Sequence, residues 1–413
     1  MVLKEYDVTK PEGSLAVAVG DGNTDDTQAF QDRLDLITRS GGGWLYIPGG
    51  SYRINKTLHV TFSGPTSIKG DGDNSLLLWN FDGDLFVWDQ GSFSHVIRDL
   101  MINATLDQRP QSTAFNLTMG ATTNLEVSRV HISALASPEN PIKFGSGIKV
   151  STVYAGANTP RECGSLRFTD LELWHYRGTA IRVEDSTDVW IRGCRMPAID
   201  RPQSSVGIHV AGNSGGVLIE NCDIIQVDIC IYVTKRGIRD ARPGNSEVFI
   251  VGGACDLSNY GLRVKDSPII GCTGAWFASC VYRNIFVENR TKPRMEITGG
   301  IIHNAGPFTG ENVHHGAEIN GGDLVMSGVL ITHNAGVGLK IGAGVKGYII
   351  SGCSFIDNFD LGAEFRGSQG VITGNLFRKN KEVVSGGQPV QYTRSTYSGV
   401  NILLANNLVV DPR

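Results

Sequence analysis

The chain has 413 residues, 52 of them Gly but only 15 Pro, and 41% are hydrophobic; this supplies ample material for a core and excludes a disordered linker. Its 37 Lys and Arg against 41 Asp and Glu leave a net charge of −4, which excludes bulk electrostatic binding to nucleic acid. No run approaches the ~18 apolar residues of a membrane span, and the start, MVLKEYDVTKPEG, lacks the apolar stretch of a secretory leader.

The first predicted element is a helix. After GDGNTDDT at 20–27 comes QAFQDRLDLITRS, in which Phe30, Leu34 and Ile37 recur at helical spacing. Thr24 or Asp25 is placed to cap it, with Gln28 three residues after Asp25. Gly41-Gly42-Gly43 then leads into a strand at Trp44-Leu45-Tyr46-Ile47. Residues 1–45 are therefore expected to form a cap whose amphipathic helix shields an open strand edge.

From there a short strand pattern repeats. Its inward anchors are Val87, Leu117, Val150, Val183, Val210, Val233, Val264, Val287, Ile319, Ile341 and Phe365, separated by 22 to 33 residues. Coils of this size cannot bury an apolar face alone and must stack. Between anchors runs a second pattern with a single Gly or Asn flanked by short strands, at Gly193, Asn221, Gly271, Gly328, Gly352 and Gly374. Such a residue fits a left-handed bend. Strand alternation then turns Cys194, Cys222, Cys272 and Cys353 inward. The eight cysteines contain no CxxC pair and read as reduced, mostly buried thiols. A third recurring position, Asn304, Asn334, Asn358 and Asn380, fits a stack of turn asparagines. The expected architecture is all-β: a right-handed single-stranded parallel β-helix over 46–413, of about eleven or more coils, forming one domain with its capping α-helix.

The run GDGNTDDTQAFQ, followed by SGGGWLYIPGGSYRI, resembles the N-terminal cap of the pectate-lyase-like superfamily. In particular it is similar to the branch of bacteriophage tailspike depolymerases and related polysaccharide-active enzymes. The resemblance implies a polysaccharide partner, an extracellular or virion-associated location, and a homotrimer. It does not choose a reaction, because lyases, hydrolases, epimerases and adhesins share the cap. Asp25-Asp26 lies in the cap and cannot serve as the paired aspartates of polygalacturonases. Arg195-Met196-Pro197-Ala198-Ile199-Asp200-Arg201 has one residue too many for the R-x-P-x-x-R run of pectate lyases.

In each anchor strand the residue between two inward positions faces outward, giving a column of Lys149, Arg182, His209, Tyr232, Arg263, Phe286, Glu318, Lys340 and Glu364. With rungs ~4.8 Å apart, its first five members form a basic and aromatic stripe about 20 Å long, suited to an anionic sugar chain. The resemblance points to the same sheet as the catalytic face. For β-elimination on a uronate, His209 or Tyr232 is the candidate base, and Arg182 and Arg263 neutralise the carboxylate. Lys149, Lys235, Arg236 and Arg239 are candidate substrate contacts, the last three in the loop 234–246. Hydrolysis would instead use carboxylates, with Asp228 and Asp200 the candidates and Glu184 and Asp185 in neighbouring turns. A glycan-binding adhesin is the non-catalytic alternative. No cofactor is required by any motif; a divalent cation is left open, and His303, His314, His315 and His333 match no metal-ligand spacing.

Overall fold

A computed structural model describes residues 3–61, 64–91, 94–119, 124–135, 142–152, 165–234, 246–266, 268–289, 291–306, 314–380, 384–385, 388–389 and 401–410. The chain divides into two compact units, Met1–Leu218 and Ile219–Arg413. Each is built of right-handed coils whose parallel strands pair only with the coils before and after.

In the first unit the helix Thr27–Arg39 buries Phe30, Leu34 and Ile37, the residues its periodicity singles out. Its N-cap is Asp26, one residue later than expected, and makes no side-chain cap bond because its carboxylate accepts from the backbone N–H groups of Val19 and Gly20 instead. Asp25 accepts from the backbone N–H of Thr27 instead. The helix covers the strand Leu58–Thr61 as the pattern implies. Gln31 both donates to the His59 carbonyl and accepts from its N–H, and the Thr38 hydroxyl donates to the Thr61 carbonyl. Side chains thus stand in for a missing neighbouring strand. Arg33 is fully buried, donating to the carbonyls of Asp7 and Lys10, and ties the helix to the N-terminal loop.

The anchor strands of the first unit are Leu58–Thr61, Phe86–Gly91, Thr113–Met119, Ser146–Thr152, Thr179–Glu184 and Val206–Ala211. Those of the second are Ile229–Val233, Tyr260–Val264, Arg283–Val287, His315–Ile319, Leu339–Ile341 and Ala363–Phe365. The expected anchors hold with one exception. Val87 pairs with outward Asn116, and it is Trp88 that aligns with Leu117 and is buried. The strand Leu58–Thr61, one coil earlier, escaped the pattern because no equivalent strand precedes it to set a spacing.

The corners confirm why Gly and Asn recur. Gly193, Asn221, Gly328, Gly352 and Gly374 all have φ between 50° and 65°. Gly271 does not belong to this set: it lies inside the strand Ile269–Thr273, and the left-handed residue of that coil is Gly274 (φ 64°). In earlier coils charged residues take the same conformation, at Asp99, Arg129 and Asp170, with Arg129 Nε 2.6 Å from Asp99 Oδ1. Cys194, Cys222 and Cys353 follow corner residues directly, whereas Cys272 sits within its strand; all four are buried and unbridged. Cys163 lies outside the described residues.

The asparagine stack forms, but with a different first member. Asn334 Nδ2 donates to Asn358 Oδ1, and Asn358 Nδ2 to Asn380 Oδ1, each at 2.9 Å. Asn284 donates to Asn334 Oδ1 at 3.3 Å, while Asn304 occupies the left-handed position (φ 56°) one residue earlier in its coil. The buried Asn358 amide therefore serves its own coil and both neighbouring coils. Asn358→Ala should lower the unfolding free energy by about 2 kcal/mol or more, because several buried groups lose their partners; urea denaturation followed by circular dichroism checks this.

Candidate functional site

In the first unit the outward positions Asn116, Lys149, Arg182 and His209 fall in direct register on successive strands, as alternation requires. Arg182 does not project freely: its Nη2 lies 3.1 Å from Oε2 of Glu184, two residues along the same strand. Glu184 ends that strand rather than sitting in a turn, and is only 3% exposed. Asp185 follows it with φ 52°, accepts from the Asn213 N–H, and has its carboxyl pushed up by burial. His209 is half-buried rather than solvent-facing. Burial, and then the Arg182 charge, hold its imidazole down to about 3. Asp200 is elsewhere, in a turn where Ile199, Asp200 and Arg201 all have positive φ, with its side chain 75% exposed.

In the second unit the register carries Tyr232, Arg263, Phe286, Glu318, Lys340 and Glu364 as neighbours. Here the side chains interlock. The Arg263 guanidinium lies 5.5 Å from the Tyr232 ring centre and 5.1 Å from that of Tyr260, with Glu288 Oε1 at 2.8 Å. Burial raises the Tyr232 phenol, an effect the Arg263 charge opposes. Tyr260 stacks on Phe286 at 5.7 Å and leans on Tyr282 at 5.4 Å. One rung on, Glu318 is paired with Arg283 and lies 3.4 Å from Lys340 Nζ. Burial would raise its carboxyl, but Arg283 and Lys340 outweigh that and hold it below the usual range. Asp228 lies just before the Tyr232 strand and accepts from Asn259 Nδ2 at 2.9 Å.

Tyr260, Arg283 and Glu288 were not singled out in the sequence, although a signal for them exists. Tyr260, Arg283 and His315 are in mutual register as the first residues of their strands, and Glu184 and Glu288 each follow an inward Val. Polar or aromatic residues at those two offsets flank the outward column on both sides. The late histidines separate: His303 and His333 meet edge to face at 5.4 Å, His314 stacks on Tyr282 at 6.2 Å, and His315 lies 3.3 Å from Lys340 Nζ. Among the described residues no group of three or more His, Cys, Asp or Glu side chains could hold a metal ion. Lys235, Arg236 and Arg239 lie outside the described residues.

The depressed His209 has a measurable consequence. On unfolding it regains an ordinary value of 6.5, so the unfolded chain takes up a proton that the folded one refuses. Its contribution to stability is therefore complete above pH 6.5 and drains away as pH falls toward 3. His209→Gln should flatten the pH dependence of the urea midpoint in that window.

The comparisons agree with this architecture. A family model described as "Right handed beta helix region" matches residues 258–413. Alginate lyase 7 of Azotobacter vinelandii is 50% identical over 38 residues, which are 9% of this chain and 4% of that protein. The mannuronan C5-epimerase AlgE2 of the same organism is 35% identical over 78 residues, 18% of this chain and 7% of its own. The chain thus spans less than a tenth of the length of either relative. The solved A-module of the A. vinelandii mannuronan C-5 epimerase AlgE4 superposes with a TM-score of 0.52 at 15% identity, covering 95% of this chain and 93% of that one. The chain is a right-handed parallel β-helix protein.

Proposed function

We propose that the chain is a polysaccharide lyase that cleaves an acidic polysaccharide by β-elimination, with Tyr232 and Arg263 at the reacting centre. The observation that carries this reading is Arg263, a guanidinium held between two phenol rings and braced by Glu288. Such a group can take a uronate carboxylate and so acidify the adjoining C5–H bond. The Tyr232 phenol first gives its proton to solvent, a step that burial makes costlier and the Arg263 charge eases, and the phenolate then takes the C5 proton. The C–H electron pair becomes the C4–C5 double bond, the C4–O bond breaks, and the leaving oxygen is protonated from water. His209 is the weaker candidate base, because an imidazole held down to about 3 has little affinity for a proton. Arg182 and Lys149 supply further positive charge to the substrate face of the first unit.

The short matches to a protein named as a lyase and to one named as a C5-epimerase support the same chemistry, since β-elimination on a uronate and C5 epimerisation both begin by removing the C5 proton. The N-terminal resemblance extends the reading to an extracellular or virion-borne homotrimer.

Incubation with a panel of bacterial polyuronates should yield products with the ultraviolet absorbance of an unsaturated uronate. Tyr232→Phe and Arg263→Ala should each lower the rate by about 10²–10⁴-fold and leave the far-ultraviolet dichroism unchanged. New reducing ends without that absorbance, abolished in Asp228→Asn or Asp200→Asn, would assign hydrolysis instead. Deuterium entering C5 from solvent without cleavage would assign epimerisation, and binding without any chemistry an adhesin.

A further inference from the structure

Along the outward column of the second unit the charges balance at Arg263, where Glu288 Oε1 lies 2.8 Å from the guanidinium. They do not balance further along the axis. Arg283 is paired with one oxygen of Glu318 and Lys340 Nζ stands 3.4 Å from the other, so two cations share a single carboxylate. Burial works against the charge of Glu318, but Arg283 and Lys340 outweigh it and keep the group ionised. Glu364, the register neighbour of Lys340, is engaged by Arg366. Burial, then the Lys340 charge, hold the His315 imidazole down to about 4, so that ring is neutral at pH 7. Among the described residues one positive charge is left over, centred where Arg283 and Lys340 converge on Glu318. His315 Nδ1 accepts the Val337 N–H at 3.2 Å, which puts the ring proton on Nε2, 3.3 Å from Lys340 Nζ. Two donors thus stand side by side, a juxtaposition that an acceptor oxygen relieves. The side chains of Arg283 and Lys340 are 19% and 24% exposed, so a ligand can reach them.

Arg263 is in register with Phe286, and Phe286 with Glu318. The leftover charge therefore lies two rungs, about 9.6 Å, from the guanidinium assigned to the reacting uronate. That is close to the advance of one disaccharide unit in an extended pyranose chain. In a two-fold chain the carboxylates of alternate residues also fall on the same side. The rung between presents rings: Phe286 stacks on Tyr260 at 5.7 Å, the Arg283 guanidinium lies 5.4 Å from its centre, and Tyr282 beside them is 42% exposed. Aromatic surface accommodates the C–H groups of a sugar ring and gives a carboxylate no charge partner.

We infer that Arg283 and Lys340, held around Glu318, form a second carboxylate subsite, and that the substrate carries acid groups on one side at every second residue. The inference rests on Arg263 holding the uronate that reacts. It sets the shortest fully bound segment at three residues, acidic at the first and third. Bracing of the coils alone does not account for the arrangement, because one cation suffices to answer Glu318. A second, partly desolvated cation is costly until another anion meets it.

The test uses the full chain and oligomers of two to six residues prepared from the polyuronate it cleaves best. In the wild type KM should drop about tenfold at the length that first places an acid two residues beyond the one on Arg263, the worth of one charge-assisted contact. The same step should be far smaller in kcat and should shrink with added salt. Lys340→Met should abolish the step, and Lys340→Arg should restore it. A full step in Lys340→Met, or a KM raised equally at every length, overturns the second subsite and leaves β-elimination standing. Undiminished cleavage by Arg263→Ala overturns the reacting centre, and with it the spacing inferred from that centre, whatever Lys340→Met does. A wild-type chain that neither cleaves any polyuronate nor binds one by calorimetry overturns both.

Discussion

A parallel strand cannot satisfy its own backbone, and in this chain each strand's N–H and C=O groups are satisfied by the equivalent strand one coil away. Most of the rest follows from that constraint. Coil must sit on coil in register, so any residue type that recurs at one position becomes a continuous column through the unit. Apolar columns become the core: Phe355 lies flat on Phe377 at 4.7 Å, and Phe86 on Phe115 at 5.2 Å. Polar columns must satisfy one another, which the buried Asn334, Asn358 and Asn380 do by donating amide to amide. At the start of the first unit no strand precedes Leu58–Thr61 in its own sheet, and side chains of the helix Thr27–Arg39 make those hydrogen bonds instead.

The same stacking shapes the candidate site. Rungs ~4.8 Å apart bring outward side chains into contact along the axis, so a charge on one coil is answered by the next. Arg263 is answered by Glu288 and by two aromatic faces, and Glu318 by Arg283 and Lys340. Each cation is thus oriented before any ligand arrives. Pre-orientation reduces the entropy lost when a carboxylate docks, but the bracing acid also competes for that docking. The aromatic rings around Arg263 leave its guanidinium edge as the part able to form directed hydrogen bonds.

Corner chemistry decides what the outside of a unit presents. In the first unit Asp99, Arg129 and Asp170 adopt the left-handed conformation, with Arg129 and Asp99 paired. In the second unit the equivalent residues from Gly252 to Gly374 are all glycine. Since nothing crowds a Cβ at Gly274, Gly299 or Gly328, backbone conformation and a bare surface, rather than packing, account for glycine there. One repeat rule therefore yields charged corners in coils of the first unit at Asp99, Arg129 and Asp170 and glycine corners in the second unit from Gly252 to Gly374.

Periodicity was enough to place most of this. All but one of the inward anchors, the outward positions of the anchor strands within each unit, the buried Cys194, Cys222, Cys272 and Cys353 and the capping helix follow from local alternation and spacing, which depend only on backbone geometry. What local pattern misjudged was which residues are equivalent: Val87 for Trp88, Gly271 for Gly274, and Asn304 for the next residue, Ala305, in the asparagine turn. These errors have one cause, because coils differ in length and only the hydrogen-bonded neighbour defines which residue is equivalent. The environment of the site lay further out of reach. Burial of His209, the clasp of Glu288 and Tyr260 on Arg263, and the pairing of Glu184 with Arg182 depend on side chains meeting in space. Sequence by itself determined which residues face outward, since alternation is a property of one strand. Only the tertiary structure decided which of them are braced, buried or bare, since that is a property of neighbouring coils.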